Sequence, residues 1–147
     1  MTLKGQIQDD MKTAMKAGEK DRLKVVRLIL ASIKQIEVDK RIELDDAAVL
    51  DVLNKMVKQR RDSVSQFEQG NREDLAQIER DEIGVLETYL PEQMSKEDIE
   101  ALVVQVISET GAESIRDMGK VMGQIKAKAE GRADMGTVGA TVKARLG

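Results

Sequence analysis

Cysteine and histidine are both absent from these 147 residues. Without cysteine there is no thiolate nucleophile, no thiol–disulfide chemistry and no zinc–sulfur site, which suits a reducing compartment. Without histidine there is no Ser-His-Asp triad, no imidazole base and no imidazole metal ligand. The aromatic residues are Phe67 and Tyr89 alone, too few for a module that stacks RNA bases on rings. Long apolar runs are missing as well. The longest covers residues 28–31, against the roughly 20 that cross a bilayer, and the opening MTLKGQIQDDMK lacks the apolar core of a secretory signal. These absences predict a soluble, cytoplasmic protein that holds no metal or cofactor and spans no membrane.

What is present is leucine, isoleucine, valine, methionine and alanine at helical spacing. Leu3, Ile7, Met11 and Met15 recur at fours, and Gly18 closes that segment. A second helix is expected over about 21–40, with Leu23, Val26, Leu30 and Ile33 as its stripe, widened by Val25, Ile29 and Ile36. A third starts near Asp45, a good N-cap, and ends before Gly70. A fourth runs from about Arg72 and stops before Pro91, the single proline, which disfavours helix in the residue ahead of it. Nothing alternates with period two, so the fold class is all-α, without strands.

LPEQMS, residues 90–95, marks a boundary between an N-terminal helical domain (1–91, about four helices) and a C-terminal three-helix bundle (95–147). Ser95 and Asp98 form a capping-box pattern. Three stripes follow: Ile99, Leu102, Val103, Val106 and Ile107; Met118, Val121, Met122, Ile125 and Ala129 after Asp117, the expected N-cap; and Met135, Val138, Val142 and Leu146 after Asp134. One apolar face per helix is enough to close a small bundle. Charge separates the halves too. Residues 1–94 carry 16 Lys/Arg against 19 Asp/Glu, a net of −3; residues 116–147 carry seven basic against three acidic, a net of +4.

That basic tail contains DMGKVMGQIKAKAEGRADMG, residues 117–136. A Walker A loop requires G-x-x-x-x-G-K-[S/T] after a strand, and GKVMGQIK fits neither the spacing nor the context. At about 100° per residue, Gly119, Gly123 and Ala127 lie about 100°, 140° and 180° from Met118, outside the core stripe. Lys126 and Lys120 border that strip, and Lys128 lies further round. Glycine inside a helix costs roughly 0.5–1 kcal/mol relative to alanine, so two on one strip require a reason. Either another helix packs there at close range, or a large partner lays its backbone on the strip while lysines take its phosphates. Gly139 falls within the core stripe of the last helix and reads as close packing. Gly131 reads as a C-cap.

These segments also carry a resemblance. DMKTAMK (10–16), DRLKVVRLILASIKQIE (21–37), KQRRDS (58–63), LETYLPEQMS (86–95), DMGKVMG (117–123) and GRAD (131–134) are similar, over essentially the whole chain, to the YqeY family. That fold, an N-terminal helical domain plus a three-helix C-terminal domain, also forms the tail of GatB, the B subunit of the tRNA-dependent amidotransferase. The resemblance implies a tail that touches tRNA while carbon–nitrogen ligation, with glutamine as amide donor, takes place elsewhere. It puts an RNA-facing surface on Gly119, Lys120, Gly123 and Gly131 to Asp134, to which the charge pattern adds Lys126, Lys128 and Arg132. Where relatives continue MG with an Ile-Met-Pro-Lys stretch, this chain has Gln124, Ile125, Lys126 and Ala127; without proline the helix is expected to run straighter.

Three functions are in competition. An RNA-binding accessory comes first, with tRNA or another structured RNA as partner, and translation-related proteins beside it. KQRR (Lys58, Arg60, Arg61) offers a second contact, although a solvated face paired with Asp62 and neighbouring acids explains it better. An enzyme comes second, but the six serines (Ser32, Ser63, Ser65, Ser95, Ser108, Ser114) are scattered. Asp9–Asp10, Asp45–Asp46 and Asp81–Glu82 are neighbours that diverge by about 100° on a helix, so no catalytic residue is assigned. A protein-binding helical module without RNA comes third, using the glycine strip or Met118, Met122 and Met135.

Overall fold

A computed structural model describes residues 2–147. Seven α-helices and one 3-10 turn are present among the described residues, with no strand. The fold is all-α. Backbone contacts gather into two compact units, one ending at Leu90 and the other Pro91–Gly147.

The first unit comprises α1 (Leu3–Ala17), α2 (Lys20–Lys40), α3 (Asp46–Gln69) and α4 (Glu73–Glu87). Gly18 ends α1 in the left-handed conformation, φ 71°, its N–H donating to the carbonyls of Ala14 and Met15. Asp45 caps α3, accepting the Ala48 N–H at 2.9 Å, and Asp46 accepts the Leu3 N–H at 2.9 Å, tying the start of α1 to α3. Ile7, Val25, Val26, Ile29, Ile33, Val49, Leu53 and Leu86 form the centre of the core, each such side chain contributing roughly 1.5–3 kcal/mol by leaving water.

The α1 stripe differs from the expected one. Ala14 is buried and Met15 is half exposed. Each step of four advances about 40° on the helix, whereas seven residues from Ile7 return within about 20°, at Ala14. Tyr89, the one tyrosine, is part of the framework. Its hydroxyl donates to Asp10 Oδ2 at 2.6 Å and accepts from Arg22 at 3.3 Å, and the Arg22 guanidinium lies 5.8 Å from the ring centroid. Burial, then the Asp10 carboxylate, pushes the phenol up to about 12.

The two arginines of KQRR are paired with acids, as expected, but with acids of α4. Arg60 donates to Glu82 at 3.3 Å and Arg61 to Glu87 at 3.2 Å, both across to α4. The second unit packs α5 (Lys96–Thr110), α6 (Met118–Ala129) and α7 (Met135–Leu146) around Val103, Val106, Val121, Ile125, Val138 and Val142. Ser95 and Asp98 complete the capping box of α5, at 3.1 and 3.3 Å.

Candidate nucleic-acid interface

The site is built on α6 and the turn behind it. Asp117 Oδ2 accepts the N–H groups of Glu113 at 3.0 Å and Ser114 at 3.4 Å, which folds the chain back into a 3-10 turn, Ile115–Asp117, ahead of α6. Those two amides, Glu113 first, hold the Asp117 carboxyl below its usual range, with a smaller contribution from Lys120.

Val121, Ile125 and Ala129 are buried to 1% exposure or less, and this sets the rotation of the helix. Gly119, Gly123 and Ala127 consequently face outward and are exposed. A Cβ built on Gly119 or Gly123 meets no described atom within 4 Å. No helix of this unit packs on the strip, so close packing within the unit does not account for these two glycines. Gly139 differs: a Cβ there would lie 3.7 Å from the methyl carbons of both Met118 and Met122. That is packing contact as expected, but at ordinary van der Waals distance, so alanine would fit. Gly119→Ala and Gly123→Ala are each expected to stabilise the unit by roughly 0.5–1 kcal/mol, since a methyl adds helix propensity without a clash. Denaturant unfolding of the single variants checks this.

The cations do not form one free patch. Lys120 and Lys126 are exposed on either border of the strip. Lys128 reaches across to α5, where its Nζ donates to Glu109 Oε2 at 2.8 Å. Lys128 first, then Gln105, holds the Glu109 carboxyl below its usual value. Arg132 uses its Nε to cap α6, donating to the Ala129 carbonyl at 3.2 Å, while its Nη groups have no partner among the described residues. Gly131 is not the cap residue itself: Glu130 takes that place at φ 50°, and Gly131 follows at φ 79°. A side chain at either position is strained there.

The turn is held by a segment that sequence reasoning did not connect to it. The Arg132 carbonyl accepts the Met94 N–H at 2.8 Å, and the Gly131 carbonyl accepts from the Gln93 side chain at 3.4 Å. No period or charge pattern signals a contact between loops 38 residues apart. Asp134 then starts α7, accepting the Thr137 N–H at 2.9 Å. Among the described residues no group of acids could hold a metal ion, and no helix is long and apolar enough to cross a membrane.

The carboxylates held by ion pairs and by backbone amides imply a pH response. Glu109 and Asp117 bind protons more weakly folded than unfolded, as does Glu37, held down by Lys4 and then the Leu44 N–H. Their contribution is therefore present above the ordinary values of 3.8 to 4.5 and lost as pH falls below them. The melting temperature at about pH 3 is expected to lie below that at about pH 6. Equal values in low salt would show that these interactions contribute nothing.

Comparison with known proteins gives this architecture its relatives. The profile of the Yqey-like protein family matches residues 4–146. Altered inheritance of mitochondria protein 41, mitochondrial, of Kluyveromyces lactis is 38% identical over 107 residues, 70% of this chain and 57% of that protein. The protein of the same name from Lachancea thermotolerans is 34% identical over 106 residues, 70% and 57% of the two chains. That from Pyrenophora tritici-repentis is 30% identical over 129 residues, 86% and 71%. The match thus spans little more than half the length of the first two. Those relatives are named as mitochondrial proteins, which overturns the cytoplasmic expectation. That expectation rested on the lack of an apolar run, which bears on bilayer crossing and secretion, whereas organelle-targeting segments are amphipathic and basic. From the first helix through the last, this chain belongs to the Yqey-like protein family.

Proposed function

We propose that the protein is an RNA-binding accessory related to the tail of the tRNA-dependent amidotransferase, with tRNA as its partner and no chemistry of its own. The observation that carries this reading is the open space over Gly119 and Gly123, flanked by exposed Lys120 and Lys126. A glycine strip lets a ribose-phosphate backbone approach the helix closely. Lysines on both borders then reach phosphates as point charges, which position an RNA without reading its sequence. The Arg132 Nη groups extend the charge beyond the end of α6, and Lys128 joins them when a phosphate displaces Glu109.

The test is equilibrium binding of total tRNA to the purified chain across a salt series, with a double-stranded DNA of similar length as control. Saturable binding to tRNA that weakens with salt supports the reading. No binding at about 50 mM salt, where counterion release favours association most, rejects it and leaves a helical protein-interaction module.

A further inference from the structure

The N-terminal unit has a surface that the RNA reading leaves unused. On α2, Lys20, Lys24, Arg27 and Lys34 fall within about 80° of one another on the side opposite Val25, Val26, Ile29 and Ile33. All four are exposed. Lys24 approaches Glu82 at 4.0 Å; Lys20, Arg27 and Lys34 have no partner among the described residues. Leu23, Leu28 and Ala31 line, together with Lys20, Lys24 and Arg27, an open depression of about 500 Å³, with Leu28 39% exposed.

This arrangement works against the stability of the helix. Like charges three and four residues apart repel, and Lys20, the first residue of α2, places a cation at the positive end of the helix dipole. We propose that the outer face of α2 is a docking site for an acidic amphipathic helix of a partner protein. The partner's carboxylates meet Lys20, Lys24, Arg27 and Lys34, and its aliphatic side chains cover Leu23, Leu28 and Ala31.

Charge and shape together select a helix over a nucleic acid. The basic ridge runs about 21 Å, and the adjoining groove is lined by Asp21, Asp81 and Glu82. A duplex carries a negative charge about every 1.7 Å and would run on over those acids, whereas a short helix places its carboxylates on the cations alone. Phosphates also have nothing to offer the aliphatic side chains of Leu23, Leu28 and Ala31.

The experiment titrates the isotopically labelled full chain with a synthetic peptide of about five helical turns. The peptide carries leucines at every third or fourth position and glutamates beside them. A scrambled peptide of the same composition and total tRNA are run in parallel. Backbone amide shifts that saturate along α2 between Lys20 and Lys34, with the scrambled peptide roughly tenfold weaker, are the expected result. Lys20→Glu and Leu28→Asp should each weaken the peptide severalfold. Lys20→Glu relieves the dipole conflict and should not lower the melting temperature, so its loss of binding cannot come from unfolding. Equal binding of the scrambled peptide, or shifts elsewhere on the chain, would overturn the proposal. So would tRNA moving the α2 amides in place of the peptide, or self-association abolished by Leu28→Asp, which would make the occupant a second copy. Because the readout lies on α2, its failure is distinct from failure of tRNA binding at α6.

Discussion

The Gly123→Leu variant is expected to bind tRNA at least roughly tenfold more weakly and to melt at the same temperature or higher. The two halves of this expectation have separate causes. A Cβ at Gly123 meets open space, and leucine is a better helix former than glycine, which costs roughly 0.8–1 kcal/mol relative to alanine in a helix interior. The same side chain stands where the RNA backbone must approach, holding phosphates away from Lys120 and Lys126 together. Charge is unchanged, so a diffuse electrostatic patch would not respond. Lys120→Ala should cost less, because one phosphate contact is one among several. If about four phosphates are engaged, wild-type affinity should fall by roughly two decades between 50 and 200 mM salt, taking the duplex-DNA slope as a stand-in. Unchanged tRNA affinity in Gly123→Leu, with the melting temperature raised, would place the RNA surface elsewhere or remove it.

A larger loss of stability is expected from Ile125→Ala. Ile125 is fully buried on the helix that bears the glycine strip. Truncating it removes contacts with the α5 and α7 sides of the core and leaves a cavity, at a cost of roughly 2–5 kcal/mol. A core of this size supplies only about 3–5 kcal/mol. The C-terminal unit should therefore lose most of its stability and its tRNA affinity, while the unit ending at Leu90 keeps its own transition. Two transitions in calorimetry, one of them shifted or missing in the variant, are the expected result. A single transition that moves as a whole would mean that the chain folds as one cooperative body. The fragment 95–147 adds an independent check: with its capping box intact it is expected to show a cooperative, if weak, thermal transition.

Much of the local structure was legible in the sequence because its causes are local. Asp45 and Ser95 cap the helices they were expected to cap, since a short oxygen side chain before a periodic run can satisfy the first free N–H groups. Asp117, the expected cap of α6, instead gives that helix no side-chain cap and turns its carboxylate back to Glu113 and Ser114. Gly18 ends α1 because the left-handed cap is a property of a single residue. The angular position of Gly119 and Gly123 away from the core stripe also came from helical period alone.

Whether anything covers those glycines could not come from period. Open space is a property of where α5 and α7 lie, and only the packed unit decides it. The same holds for the cations. The sequence places Lys128, Arg132, Arg60 and Arg61 among like neighbours, but long flexible side chains choose partners by proximity in space. Tertiary structure assigns Lys128 to Glu109, Arg132 to the end of α6, and Arg60 and Arg61 to α4. Met15 was misplaced because a strict step of four drifts off the core, and only packing decides which side of the drift is buried. Helix ends, faces and charge were thus determined by residues within a few positions of one another. Exposure, ion-pair partners and the seating of the Gly131 turn on Gln93 and Met94 depend on segments brought together from tens of residues away.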